Sequence, residues 1–448
     1  MRRFFFILLS VFMLLLISTF SVVAKDIKLT YVYWGSPAED AAMKKAFKDF
    51  EAAHPGIKVE PMYISGDISG TEYAAKLRAM AQAKQLPDLG YFRPEEFGTF
   101  AKAGYFLDLN SYIKKDNMKG GYLPQTWLTI DKKTYGVFTA AECQVVFYNK
   151  DVLRKAGVPL PPSNYTKAWT WDEYVKYAKM ITEDANGKHP GESGFDKNRI
   201  VKYGISYQLW HAMLNPPLWS NGGGIVSDDG KQFIMDSPAS IEVIQKIADL
   251  INKEHVMPYT DPSSTSGAGL PAPSVMLANG QLGFYVTGQW ELLDFGKMDF
   301  DLGVAPLPVF KKPMQMYISG ASVIFKQTKH PKEAWELHKW MMTPDKTLNL
   351  YADGLWMPTK ESWYSDPADL KKWTANKVHP QGYKEAVLDS MKVAKVSPES
   401  RVINYLRIWS ECVAPQLDKV WLGEISAKEA MKAAADAVKK RKLLKGTY

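Results

Sequence analysis

Two hydrophobic periods alternate along the first part of the chain. Ile27-Lys28-Leu29-Thr30-Tyr31-Val32-Tyr33 alternates in steps of two, which predicts a strand stopping at Trp34-Gly35. Ser36 then stands as a helix cap, Pro37 takes the first helical position, and Glu39 completes a capping box three residues after Ser36. Met43, Ala46, Phe47 and Phe50 follow at helical spacing and predict the buried stripe. Pro55-Gly56 ends this helix, Ile57 to Tyr63 predicts a second strand, Thr71 to Gln85 a second helix, and Leu89 to Phe92 a short apolar strand. Strands alternating with helices of about four turns predict a mainly parallel sheet covered by helices.

Further along, 136–149 reads as one long extended stretch whose apolar second half suits a buried strand. Lys150 to Gly157 predicts a short helix, closed by the loop of Pro159, Pro161 and Pro162, and Trp171 to Thr182 a longer one. Asp184-Ala185-Asn186-Gly187 is turn chemistry; no Glu stands at the twelfth position, so the calcium-loop reading fails. Trp210 and Trp219 flank what reads as an Asn-Pro-Pro loop, and Gly222-Gly223-Gly224 as a bend before a hairpin. Pro238 to Asn252 predicts a helix, Ser263 to Gly269 a small, polar, mobile loop, Gly283 to Trp290 and Asp301 to Leu307 strands, and Pro331 to Met342 an amphipathic helix. Helical signals dominate from Asp369 onward. There is no repeat and no low-complexity linker, so strands are expected to join the folding units.

The N-terminus changes the picture. Arg2 and Arg3 precede an almost wholly apolar run from Phe4 to Phe20, which relaxes into Ser21-Val22-Val23-Ala24. That order predicts a secretory signal over residues 1–24, cleaved after Ala24; an uncleaved membrane helix is the other reading. Either way the remainder is expected outside the cytoplasm, in a periplasm or on the outer face of the cytoplasmic membrane. No Cys stands near the exit to take a lipid. The two cysteines, Cys143 and Cys412, read better as buried free thiols than as a disulfide that a chain this size does not need. The net charge of +8 falls by two without the leader and is dispersed, apart from a basic cluster from Lys439 to Lys445. A helix tail explains that cluster, and no nucleic-acid partner is expected.

Catalytic signatures are missing. There is no Gly-x-Ser-x-Gly, no His-Glu-x-x-His and no Cys-x-x-Cys, the glycine triplet lacks the Lys-Ser/Thr of a phosphate loop, and the seven His residues show no ligand spacing. No catalytic residue, cofactor or metal is expected. With 14 Trp, 23 Tyr and 20 Phe, however, 13% of the chain is aromatic, which suits flat faces stacked on sugar rings. In helix-covered sheets ligands sit beyond the carboxyl ends of the strands. Trp34, Gly35 and Ser36 hold that position after the first strand, and Arg93 and Glu95 after the third. Trp210 and Trp219 are further candidate stacking platforms.

The ordered motifs resemble the solute-binding proteins of carbohydrate ABC importers, the group that includes maltose-binding protein. The resemblance covers nearly the whole mature length. It is carried by Trp34 with His54-Pro55-Gly56-Ile57-Lys58-Val59, by Leu86-Pro87-Asp88-Leu89, and by Phe97 to Leu109. Its most specific stretch is Tyr135-Gly136-Val137 through Tyr148-Asn149-Lys150-Asp151, Ala156-Gly157, Pro161-Pro162 and Thr170-Trp171-Asp172-Glu173. Asn221-Gly222-Gly223, Asn279-Gly280, Gly288-Gln289-Trp290, Ala305-Pro306-Leu307-Pro308, Ser319-Gly320, His330-Pro331 with Trp335, and Gly354 with Pro358 complete the series. Phe138 departs from it, since proline is usual there.

The resemblance implies an α/β, two-lobed periplasmic-binding-protein-like fold of type II, with each lobe a helix-covered sheet and the ligand held between them. It implies an N-terminal lobe of residues 25–139 plus 297–344 and a C-terminal lobe of 140–296 plus 345–448, with crossovers near Phe138–Glu142, Leu293–Asp299 and Thr343–Thr347. It adds Glu142 and Gln144 beside the first crossover, Gln289, Trp290, Ser319, Gly320 and Trp356 as candidate ligand contacts. The function implied is capture of a sugar, an oligosaccharide being the better match, by a monomer that closes about its hinge and delivers to two permease subunits and, through them, an ATPase. A non-sugar solute on the same fold and a secreted carbohydrate-active enzyme are the alternatives.

Overall fold

A computed structural model describes residues 26–65, 71–259 and 270–445. The expected secretory leader and the loop at Ser263–Gly269 lie outside the described residues.

The first sheet is built from β1 (Ile27–Gly35), β2 (Ile57–Ser65), β3 (Leu89–Phe92), β4 (Trp127–Ile130), β5 (Lys133–Phe138) and the much later β12 (Ala321–Ile324), in the order β2-β1-β3-β12-β5-β4. Its opening follows the sequence pattern closely. Helix α1 (Pro37–Ala53) carries the full Ser36–Glu39 capping box and buries Met43, Ala46, Phe47 and Phe50, with Phe47 against Tyr31 and Tyr33. Such a cap contributes about 1 kcal/mol. Helices α2 (Thr71–Gln82) and α3 (Pro94–Lys102) follow β2 and β3. The sheet is mixed, not mainly parallel: β1 runs parallel to β2 and β3, but β12 is antiparallel to both β3 and β5, and β4 to β5. The reason is connection length. A parallel pair needs a crossover helix, whereas β4 and β5 are joined by a tight turn at Asp131 and Lys132, both with positive φ.

The expected extended stretch at 136–149 is broken at 139–143, where the chain leaves the first sheet and enters β6 (Gln144–Asn149) of the second. That sheet adds β7 (Glu183–Asp184), β8 (Ile200–Tyr207), β9 (Leu282–Gly288) and β10 (Leu302–Ala305), in the order β10-β6-β9-β8-β7, and the short β11 (Gln315–Tyr317) lies outside both sheets. Strand alternation sends Val145 and Phe147 into the core shared with the first sheet, and Val146 and Tyr148 into a separate core on the other face. β6 is therefore buried on both faces, as its continuous apolar run requires. Helices α4 (Trp171–Ile181), α5 (His211–Asn221) and α6 (Pro238–Asn252) belong to this half, and α7 (Pro331–Met341) packs on β12 of the other.

Two expectations need correction. The lobe division placed 297–344 wholly with the first sheet, but β10 pairs with β6, Ala305 opposite Val146. The chain thus returns to the first sheet between β10 and β12, not at Leu293–Asp299. The Asn-Pro-Pro segment is not a loop either. Pro216 and Pro217 lie inside α5, every residue of which is buried, and Gly222 ends it in the left-handed region at φ 89°. Burial on all sides outweighs the helix-breaking tendency of the prolines. Cys143 and Cys412 are both buried and free.

Candidate ligand-binding cleft

The two crossing segments meet between the sheets. Glu142 N–H donates to the Ile318 carbonyl at 2.9 Å and Ile318 N–H donates back to Glu142 at 3.0 Å. A cleft of about 320 Å³ opens beside this bridge, lined from both halves. It lies at the low end of small-molecule pockets, which run from roughly 300 to 1,000 Å³.

From the first half come the residues at the end of β1. Trp34 stacks on Tyr91 of β3 with centroids 4.2 Å apart and planes 17° apart, and Tyr91 meets Trp356 at 5.3 Å. Gly320 is what permits this stack: a Cβ there would overlap the rings of Tyr91 and Trp34. Its N–H donates to the Tyr91 hydroxyl at 3.0 Å. Arg93 lies 5.2 Å over the Trp34 ring and donates to Glu95 at 3.3 Å. From the second half, Trp210 and Trp290 face the cleft and pack with Ile318 around Ala212 and Met316.

The electrostatics divide the cleft. At one wall Glu95 is buried with His211 Nε2 at 3.0 Å, and the other imidazole nitrogen lies 3.2 Å from Glu399. Burial works against charge on both groups, but Arg93 and His211 hold the Glu95 carboxyl well below its ordinary value. The two carboxylates likewise outweigh burial at His211 and raise it to about 9. At the other wall the carboxylates have no such help. Burial raises Glu39 to about 7 and Glu291 to about 8, with Asp294 adding repulsion to each. Burial and then Glu39 push Glu142 well above its ordinary value.

The cleft brings together Trp34, Gly35, Ser36, Arg93 and Glu95 with Glu142, Trp210, Trp290, Ser319, Gly320 and Trp356. Three expected contacts lie elsewhere. Gln144 is fully buried, its amide donating to the Ala212 carbonyl at 3.0 Å. The Gln289 amide donates to Leu355 at 3.0 Å inside the core. Trp219 is buried in α5 with Lys395 4.3 Å above its ring. Conversely, Glu39, Tyr91, Gln208, Glu291 and Asp294 line the cleft without having been singled out in the sequence. Glu291 and Asp294 had a signal, since they directly follow Gln289-Trp290. Tyr91 had none, being one apolar residue in a buried strand.

Among the described residues, no group of His, Cys, Asp and Glu side chains is arranged to hold a metal ion, and no helix is long and apolar enough to cross a membrane.

Comparison with known proteins gives the same architecture. A multiple sugar-binding protein of Streptococcus mutans is 25% identical over 349 residues, 74% of each chain. The ABC substrate-binding protein of Listeria monocytogenes in complex with cycloalternan superposes with a TM-score of 0.78 at 23% identity, over 93% of this chain and 99% of that one. An ABC transporter solute-binding protein of Thermotoga lettingae, bound with α-D-tagatose, gives a TM-score of 0.74 at 25% identity, again over 93% and 99%. Residues 45–378 match the family described as bacterial extracellular solute-binding protein. A two-lobed α/β scaffold with an aromatic, carboxylate-edged cleft between its sheets is thus a member of that family: the chain belongs to the bacterial extracellular solute-binding proteins.

Proposed function

We propose that this protein captures a sugar in the cleft between its sheets and delivers it to an ABC importer. One observation carries the reading: Trp34 from one side and Trp210 and Trp290 from the other bring aromatic rings to a cleft that Tyr91 and Trp356 back, beside carboxylates that can accept hydrogen bonds from sugar hydroxyls. The multiple sugar-binding protein and the tagatose-bound and cycloalternan-bound structures support it as relatives and neighbours. Galactooligosaccharide- and arabinooligosaccharide-binding proteins of Bacillus subtilis, 23% and 26% identical, point to an oligosaccharide.

In this reading the paired crossing segments at Glu142 and Ile318 are the hinge, and the halves close around the ligand. The protein acts as a monomer without catalysis, exported by its leader and working at the outer face of the cytoplasmic membrane or in a periplasm. Two permease subunits and their ATPase receive the sugar. Mass spectrometry of ligand retained through purification tests the reading, followed by long incubation with that ligand. A carbohydrate recovered unchanged is the expected result; a non-carbohydrate solute, or accumulation of cleavage products, would overturn it.

A further inference from the structure

Four carboxylates line one wall of the cleft without a basic partner. Among the described residues, no Lys or Arg forms an ion pair with Glu39, Glu142, Glu291 or Asp294. Arg93, the one Lys or Arg of the described lining, is turned to Trp34 and Glu95 instead. Glu142 is the sharpest case. It is only 6% exposed, its Oε2 accepts from the Tyr91 hydroxyl at 3.3 Å, and among the described residues no donor meets its other oxygen, although the residue faces the cleft. Glu39 is held by the Ser36 N–H; among the described residues, no hydrogen-bond donor meets the Glu291 or Asp294 side chain.

Like charges gathered away from bulk water repel, and hydroxyls of a neutral sugar hydrogen-bond to carboxylates without cancelling their charge. A cation cancels it. The spacing argues against a metal ion, because these carboxylates do not converge on a point. They share the lining of the cleft with indole rings, which also attract organic cations.

We propose that the sugar taken by this cleft carries a protonated amine, as a hexosamine or a short hexosamine oligomer does, with Glu142, Glu291 and Asp294 as the groups that recognise the ammonium. This rests on the sugar reading above. Burial raises Glu39 and Glu291, and the charge of Asp294 adds to the rise of each, as carboxylates without a cation beside them should behave.

The test is a set of tryptophan-fluorescence titrations of the full chain in low salt. Glucosamine, galactosamine and the β-1,4-linked glucosamine disaccharide are compared with glucose, galactose and cellobiose, which carry a hydroxyl in place of each amine. At least one amine sugar is expected to bind about tenfold or more tightly than its neutral counterpart, the scale of one charge-assisted hydrogen bond. That advantage shrinks in about 0.5 M NaCl and disappears in the Glu291→Gln/Asp294→Asn double variant. Neutral sugars binding as tightly as their amine counterparts would overturn the inference and leave sugar capture standing. An amine preference that survives in the double variant would overturn the assignment of the ammonium to Glu291 and Asp294. Silence from every sugar in both series would overturn the sugar reading, and the inference with it.

Discussion

His211 Nε2 lies 3.0 Å from Glu95 Oε1, and this contact ties the start of α5 in the second half to α3 in the first. Both side chains are buried, and Glu399 from a third segment faces the other imidazole nitrogen. Arg93 pairs with Glu95 as well, so these four side chains alternate in charge: Arg93, Glu95, His211, Glu399.

Replacing His211 by Gln is therefore expected to cost about 3–5 kcal/mol, because Glu399 is left buried without its cation and Glu95 keeps only Arg93. The sign of the pH dependence follows from its raised value. The stability that protonated His211 contributes is complete below about 6.5 and is lost as the pH rises through about 9. Urea unfolding of wild type and variant across that window checks both; a variant whose stability equals wild type at pH 6 would refute the account.

Glu39 and Glu291 titrate with the same sign but from a lower pH. Their folded values lie above the ordinary carboxylate value, so the folded state keeps protons that the unfolded state has already lost. The ligand-free protein should lose stability as pH rises from about 4.5 to about 8. Glu291→Gln should raise the melting temperature at pH 8 and leave it nearly unchanged at pH 4. A lower melting temperature at pH 8 would mean that the carboxylate is compensated.

Gly320→Ala places a methyl group against the stacked rings of Trp34 and Tyr91. Overpacking of this kind costs about 1–3 kcal/mol, and the displaced indole should also weaken ligand binding. Near-ultraviolet circular dichroism of the variant should show the altered aromatic packing; an unchanged spectrum with full stability would contradict it.

How far the sequence reached is clearest at Ser36 and Glu39. Their capping box was legible because it depends only on local spacing, and so was the stripe it introduces. That Glu39 also faces the cleft was not, because its neighbours Asp294 and Glu142 lie far off in sequence. Strand ends placed Trp34, Arg93 and Glu95 at the cleft from the general rule for such sheets. Trp219 shows the limit. Its residue type fits a stacking platform, yet its exposure is decided by Met316 and Lys395, which only the folded chain brings to it. Likewise nothing local to Leu302–Ala305 says that it pairs with β6.

The central claim is sugar capture between the halves, and Trp290 is the residue on which it is most exposed, since this side chain faces the cleft from the second half. Isothermal titration calorimetry of wild type and Trp290→Ala against a panel of neutral and amine-bearing mono- and oligosaccharides measures it directly. The account predicts saturable binding of at least one sugar by wild type and a loss of about 2 kcal/mol, roughly thirtyfold in affinity, in the variant. No binding of any sugar by wild type, or equal affinity in Trp290→Ala, would contradict it.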